Sequence, residues 1–485
     1  MQKLFQELPE IFGPFETNIR VPEYTSVYIT EPIRRLLDTK EMQRLRRIKQ
    51  LGFVELVFPG AEHTRFEHSL GVYYRACQLI KHLCEVEGLL EVAAPESVRM
   101  MLLSGLLHDL GHYHGSHVIE ELGKIKDIAP LLEGFNHLEF GRRLLTARNS
   151  EVGRILEEEF DIDRRALADY VFGKNHGGGV EGELYRLLDG PIDVDKMDYL
   201  ERDSIHTGVP YGRNYDAARL VSNFTLLRQG AGAGNRRVKI LLREKGKASA
   251  EVFIFSRYVM FTEVYWHHTA RCFSAMFRRA FMDLVKLGLK VEQVVGENIY
   301  SPTSWSYFDD VESFRRIVGL ATEGGRGGRS TAVARKMLRA IASGRAGLYK
   351  RVLTLRGEGE PGGRQYEAKL ICRRLMETYH EGLESWLKLC RRVARLVGRR
   401  AGIANLREHQ ILIDTPLLGD RGTTYPLYFP REDLVRDITE VSPIAGALDK
   451  MFNEAAQQVR IYCQPDFAGR IGADHVYDAL CECLD

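Results

Sequence analysis

The apolar run Met101–Leu107 (MLLSGLL) ends in a histidine and an aspartate, His108 and Asp109. An imidazole beside a carboxylate in such company needs a cation or a set of hydrogen bonds, because an unpaired Asp among apolar side chains is costly. Upstream, HTRFEHSLGV (His63–Val72) puts His68 near the start of a helix, and downstream IDVDKMDY (Ile192–Tyr199) offers further carboxylates. Together these segments can supply two His and two Asp. That mixed nitrogen and oxygen set suits Mn²⁺, Fe²⁺, Co²⁺ or Zn²⁺, with positions left for water and a phosphate oxygen. Five of the 15 histidines fall between residues 108 and 137: His108, His112, His114, His117 and His137. His112 is four residues past His108 and shares its face if that turn is helical, and His117 and Glu120, three apart, share theirs. The bland alternative is a polar, solvent-facing turn.

The elements that must position these groups read mainly as helices. Apolar residues recur at three and four positions from Glu31 to about Leu89 (Ile33, Leu36, Leu37, Leu45, Ile48, Leu51), interrupted at Gly52 and Pro59-Gly60, so two or three helices are predicted there. Further helices are predicted over Val98–Asp109, Leu138–Leu145, Arg165–Phe172 and Leu184–Leu188, which makes the first half all-α. Alternation in Arg237–Arg243 predicts a short strand, followed by a turn at Glu244-Lys245-Gly246 and one long helix from about Ala250 to Leu287. Arg257, Phe261 and Tyr265 would then share one helix face. EGGRGGR (Glu323–Arg329) and GEGEPGG (Gly357–Gly363) read as connections, with helices between and after them to about Gly398. Past Gln410, ILIDTP, YPLYFP and VRIYCQP have the alternation and boundaries of strands. The expected architecture is mainly α, a helical core over 1–290 with a basic helical and smaller α+β lobe over 291–485.

Composition narrows the function classes. At 485 residues, 44% hydrophobic and 28% charged, the chain exceeds the size at which a single core stops growing and has the balance of a soluble protein. It has no apolar run of about 18 residues, so no membrane span is expected. Glu7 and Glu10 interrupt the stretch a secretory signal would need, and the expected location is cytoplasmic. The eight cysteines are scattered without a CxxC pair and read as reduced thiols. Net charge is +2, yet 314–409 holds 22 Lys/Arg against 8 Asp/Glu. That block could meet nucleotides or nucleic acid, or serve as a solvated face or subunit contact.

Four ordered motifs resemble the HD-domain dNTP triphosphohydrolases, the family of the SAM-and-HD-domain enzyme and its bacterial relatives: QRLRRIKQLG (Gln43–Gly52), TRFEHSLGV (Thr64–Val72), HDLGH (His108–His112) and IDVDKMDY. The resemblance covers about Asp38 to His268. It implies an HD-domain helical core in which His68, His108, Asp109 and Asp195 hold one divalent metal (Mn, Fe, Co, Zn or Mg). It further implies His117 as general acid toward the 5′-oxygen, supported by Glu120 and His137, with His112 near the α-phosphate. Arg65, Lys196 and Arg257 match residues that grip the triphosphate, and Gln50, Leu51, Tyr199, Asp203 and Tyr265 match those that grip the sugar. Asp38, Gln43 and Arg46 match residues that bind a guanine nucleotide effector between subunits of a dimer or tetramer.

This sequence departs from the family at three places: Glu120 stands for Asp, Phe261 for His, and Val21–Ser26 for a DPIHG-like segment. The implied reaction is attack by metal-bound hydroxide on the α-phosphate of a deoxynucleoside triphosphate, releasing deoxynucleoside and inorganic triphosphate. Two alternatives stand beside it. One is an HD phosphohydrolase acting on another nucleotide or phosphodiester, and the other a nucleic-acid binder that uses the basic 314–409 block and keeps a residual HD site.

Overall fold

The computed structural model describes residues 6–24, 26–132, 136–173, 176, 178–229, 237–290, 310–323, 328–356, 364–415, 423–455 and 458–484. Helices dominate. After α1 (Glu31–Asp38), the helix α2 (Arg65–Glu85) buries Phe66, Leu70, Tyr73, Ala76, Leu79, Ile80 and Leu83, the three-and-four spacing of a core-facing stripe. It packs on α3 (Pro95–Leu107), which has proline at its first position and is apolar nearly all round. The short α4 (Ser116–Leu122) and α5 (His137–Thr146) follow. The next helix that matters to the site, α6 (Val194–Thr207), is capped by Asp193, whose carboxylate accepts from the Lys196 backbone N–H at 2.7 Å. Its end is set by Gly208 at φ +75°.

Two glycines allow these helices to come together. A β-carbon on Gly71 of α2 would sit 1.8 Å from the Asp198 carboxylate of α6, and one on Gly111 would sit 1.9 Å from the His137 carbonyl of α5. A side chain at either position would push apart the elements that carry the clustered histidines.

The first half is not all-α. Strands β1 (Thr17–Ile19) and β2 (Val27–Ile29) pair antiparallel, and β3 (Phe224–Gln229) pairs with the expected β4 (Arg237–Arg243). Three-residue strands and a single hairpin leave too few alternating residues to show as a pattern. The helix expected over Leu184–Leu188 lies instead at Val180–Tyr185, and 186–188 form a turn.

The single long helix is also broken, into α7 (Lys247–Met260) and α8 (His268–Lys286), with a π-helical turn at Phe261–Tyr265 between them. There the Trp266 N–H bonds the Phe261 carbonyl, five residues back, at 2.9 Å. The wider turn interrupts the 3.6-residue period, yet the Phe261 and Tyr265 rings stay 5.5 Å apart, and Phe261 and Arg257 both meet the Phe452 ring.

In the C-terminal region α9 (Asp310–Glu323) and α10 (Gly328–Ala342) lead to β5 (Lys350–Leu355), then α11 (Arg364–Glu381) and α12 (Leu383–Arg400). The Gly357–Gly363 connection and residues 324–327 lie outside the described residues. The expected strands are β6 (Ile411–Asp414), β7 (Pro426–Phe429) and β9 (Val459–Cys463), while β8 (Leu434–Asp437) and β5 were not foreseen. The sheets have the orders β3-β4-β7-β8 and β5-β9-β6.

Strand β4 runs parallel to β7, so a sheet crosses the expected boundary at residue 290, and one contiguous apolar core runs from Leu8 to Leu480. On α12, Trp386, Leu387, Cys390, Val393 and Val397 are buried, whereas Arg391, Arg392, Arg395 and Arg399 are exposed. Here the basic block is the solvated side of an amphipathic helix. Among the described residues all eight cysteines are free thiols, and no helix is long and apolar enough to cross a membrane.

Candidate metal centre

Helix α3 ends at Leu107, which leaves His108 as its C-cap and Asp109 in the turn beyond. Buried Arg44 fixes that turn by donating to the carbonyls of His112, at 2.6 Å, and Leu110. The His108 Nδ1–H donates to the Gly105 carbonyl at 3.0 Å, and the His68 Nδ1–H donates to Asp198 at 2.7 Å. With both Nδ1 atoms engaged, both Nε2 lone pairs are free to bind a cation, and hydrogen bonds of this kind orient metal-binding imidazoles. The two Nε2 atoms lie 3.3 Å apart. His68 Nε2 is 2.9 Å from Asp195 and 3.8 Å from Asp109, and His108 Nε2 is 3.7 Å and 3.4 Å from the same carboxylates.

This spacing fits a metal ion. A cation with bonds of about 2.1 Å holds its ligand atoms roughly 3.0 to 3.4 Å apart in octahedral or tetrahedral geometry. The charge fits as well. Burial works against the Asp109 carboxylate, but the Arg65 guanidinium and the imidazoles of His108 and His112 hold it well below the usual carboxylate range. Asp195 is lowered too, against burial, by its contact with His68. For His68 burial opposes the charge, yet Asp195, Asp198 and Asp109 push its proton affinity up to about 10. A proton occupies the place a metal would take.

Behind the ligands lies a shell that the motifs only partly revealed. Asp198 receives His68, the Tyr24 hydroxyl at 2.5 Å and two N–H groups of Arg202 at 2.8 and 2.9 Å. Arg202 also reaches Glu23 and Glu67, each at 2.8 Å. Tyr24 and Glu23 belong to the Val21–Ser26 segment that departs from the family pattern, and that segment here secures the metal site. Arg44 lies inside the QRLRRIKQLG motif. Asp198 is three residues after Asp195 on α6, a spacing that places both on one face.

His112, His117 and His137 gather beside the centre, with ring centroids 4.0 Å (His112–His137), 4.7 Å (His112–His117) and 5.7 Å (His117–His137) apart. These three imidazoles could themselves hold a cation. Burial and the Arg65 charge keep His112 neutral, its pKa well below the ordinary value; its Nε2 lies 3.2 Å from Asp109 and its Nδ1 2.7 Å from the Ser116 hydroxyl. Glu120 accepts from the backbone N–H of His137 at 2.9 Å and from its ring, and its other oxygen lies 3.8 Å from His117 Nδ1. Burial works against its charge, but both imidazoles hold Glu120 far below the carboxylate range. The His117 side chain is 65% exposed, so its far edge is open to a ligand.

A cavity of about 370 Å³ adjoins these groups, lined by Gln50, Leu51, Arg65, His117, Tyr199, Asp203, Phe261, Tyr265 and Asp310. Asp203 accepts from Tyr265 and contacts His63, each at 2.7 Å. Gln50 Oε1 is buried with no hydrogen-bond partner among the described residues. Arg65 bridges Asp109 at 2.7 Å and His117 at 3.3 Å. Two expected residues do not line the cavity: Lys196 pairs with Asp193 at 2.6 Å, and the Arg257 guanidinium lies 5.3 Å from the Phe452 ring centroid. Asp310, unforeseen, accepts from the Lys49 N–H at 2.7 Å and lies 3.1 Å from His114 Nδ1. The three expected effector residues make local contacts. Asp38 pairs with Arg34, Gln43 donates to the Leu37 carbonyl, and Arg46 bonds Gln43 and stacks 3.8 Å above Phe66.

The comparisons with known proteins agree with this site. The HD-domain family model matches residues 65–203, and that of the HD associated region matches 215–300. An uncharacterized protein of Methanocaldococcus jannaschii, MJ1154, is 32% identical over 268 residues, 55% of this chain and 50% of that one. The deoxynucleoside triphosphate triphosphohydrolase SAMHD1 of Gallus gallus is 32% identical over 316 residues, 61% of this chain and 49% of that one. The chain thus spans about half the length of these relatives. A phosphohydrolase structure from Bacteroides thetaiotaomicron, BT4208, shares the fold with a TM-score of 0.61 at 20% identity, covering 93% of this chain and all of that one. With the histidine-aspartate pair at the end of α3 and the residues that meet it on α2 and α6 all within the matched segment, residues 65–203 of the chain form an HD domain.

Proposed function

We propose that the chain is a metal-dependent phosphohydrolase that converts a deoxynucleoside triphosphate to deoxynucleoside and inorganic triphosphate. The observation that carries this reading is the convergence of two Nε2 atoms and two carboxylates beside a cavity that a nucleoside can enter. His68, His108, Asp109 and Asp195 would hold the metal. When bound it supplies Lewis-acid polarisation of a phosphate oxygen and lowers the pKa of a coordinated water.

The chain's own residues supply the rest. Arg65 presents a guanidinium between the metal ligands and His117, where it can meet phosphate oxygens as charge develops. His117 has Glu120 behind its Nδ1, and its Nε2, which here accepts from Arg65 at 3.3 Å, can carry a proton to the leaving 5′-oxygen once Arg65 turns to the phosphate. His112, held neutral, can donate or accept without placing a further positive charge beside the metal. At the sugar end, the partnerless Gln50 oxygen can accept from a 3′-hydroxyl, and the Tyr265–Asp203 pair presents a fixed polar edge. Leu51 and the Tyr265 ring leave little room at the 2′ carbon, which favours deoxyribose.

A second reading keeps the metal and changes the phosphate chain. Lys196 and Arg257 are turned to other partners and Phe261 forms an apolar wall, so fewer cations face the cavity than a triphosphate would use. The test is to incubate the protein with Mn²⁺ and mixed dNTPs and rNTPs, with and without GTP, and separate the products by ion exchange beside an Asp109→Ala control. Tripolyphosphate and deoxynucleoside that require Asp109 support the proposal. Metal-dependent release of orthophosphate or pyrophosphate supports the second reading, and no consumption of any nucleotide refutes both.

A further inference from the structure

A second cavity of about 440 Å³ lies in the C-terminal region and shares no wall residue with the first. Lys336 of α10, Tyr349 before β5, Arg407 and Gln410 before β6, and Gln464 and Phe467 after β9 all face it. Its volume falls in the range of small-molecule sites, roughly 300 to 1,000 Å³. Its charge is one-sided, for no carboxylate is among the wall residues. Glu408, next to Arg407 in sequence, lies 3.7 Å from Arg279, and Asp466 accepts from the Gln464 side chain at 2.6 Å. Neither Lys336 nor Arg407 makes an ion pair among the described residues.

The other walls suit the body of a ligand rather than its charge. Tyr349 is buried and donates its hydroxyl to the His409 carbonyl at 2.9 Å, so it offers the cavity ring surface. Phe467 offers a second aromatic ring. Gln410 donates to Gln464 at 3.2 Å and keeps a second N–H for a polar ring edge. Cations on one side, aromatic rings and the second Gln410 N–H together match a flat polar ring joined to a phosphate. A purely apolar ligand would leave both cations unanswered, and a bare anion would leave the rings without a partner.

We propose that this cavity binds a small phosphomonoester carrying a flat heterocycle, with a nucleoside monophosphate as its type, Lys336 and Arg407 taking the phosphate and Tyr349 and Phe467 flanking the ring. The site stands apart from the metal centre and from Asp38, Gln43 and Arg46, and it does not depend on the reaction proposed above.

The test is photolabelling of the full chain with 8-azidoadenosine monophosphate followed by peptide mapping, which separates labelling here from labelling at the first cavity. The expected label falls within 332–337, 404–410 or 464–467, and is displaced by AMP and by inorganic phosphate but not by adenosine. Lys336→Glu and Arg407→Glu each reduce it about tenfold or more, the loss expected when a charge-assisted bond is removed, with the melting temperature unchanged. Should either reversal melt early, Lys336→Gln and Arg407→Gln carry the same test. Label absent from these peptides, unaffected by the substitutions, or displaced as well by adenosine as by AMP overturns the proposal.

Discussion

Two buried charge clusters on neighbouring elements have opposite characters. In one, Arg271 and Arg278 of α8 face Glu121 of α4 and Asp414 of β6, and each carboxylate meets both guanidiniums at 2.7 to 2.9 Å. Two positive groups answer two negative ones. In the other, Asp109 pairs with Arg65, and Asp198, Glu23 and Glu67 share Arg202, with His206 3.1 Å from Glu67; Asp195 meets the His68 imidazole at 2.9 Å, so carboxylates outnumber guanidiniums and the proton affinity of His68 is raised. A buried cluster that balances itself is architecture, here joining the helix that bears His117 to the C-terminal lobe. One that does not balance is waiting for a cation.

The largest expected difference follows directly. Asp109→Ala removes a ligand from the unbalanced cluster, and metal-assisted catalysis is worth several kcal/mol, so turnover should fall by about 10³-fold or more. Metal content measured on the purified variant should fall with it, and because Arg65 loses its buried partner the denaturation midpoint should fall too. Asp414→Ala should separate the two readouts. It strips both arginines of a partner in a buried setting and should cost about 3 to 5 kcal/mol of stability, read by urea unfolding, with metal content unchanged. If Asp414→Ala loses metal and keeps its stability, the distinction between the clusters fails.

The two clusters were not equally legible in the sequence. His108 and Asp109 could be read because ligand types in apolar surroundings are conspicuous wherever they occur, and the resemblance of the flanking motifs pointed to His68 and Asp195. The balanced cluster left no such mark: Arg271 and Arg278 are two cations seven apart on one helix, and its acids lie about 290 residues from each other in the chain (Glu121 and Asp414), with nothing local to link them. The π turn escaped notice for a related reason. Its sequence is compatible with a straight helix, and the contact made at the turn, from Tyr265 to Asp203 of α6, joins residues 62 apart in the chain. Asp310 reached the first cavity from a helix that composition alone could not place. The helical core, by contrast, followed from the spacing of Ile33, Leu36 and Leu37 and from the apolar run of α3.

The shell behind the ligands gives a smaller effect. Asp198→Asn keeps the shape but removes the charge that receives His68 Nδ1–H, and the loss of such a partner typically costs 10- to 100-fold in metal affinity. Titration of the metal-free variant should show this, and Tyr24→Phe, which removes one of four hydrogen bonds to Asp198, should show a fraction of it. An affinity unchanged in Asp198→Asn would mean that His68 is oriented by packing alone.

The smallest effect is also the most direct probe of the imbalance. Without metal, His68 is protonated at neutral pH, because its folded-state value of about 10 exceeds the roughly 6.5 of an unfolded histidine. A group whose pKa rises on folding stabilises fully below its unfolded value and loses that contribution as pH climbs through the folded one. The metal-free protein should therefore lose part of its stability between about pH 6.5 and 10. The metal-loaded protein should not, since the ion replaces the proton. Calorimetric titration with metal near pH 7.5 in two buffers of different ionisation enthalpy should show about one proton released per ion bound. Release of none would mean that His68 already presents a bare Nε2, and that the carboxylates around it are balanced by some other group.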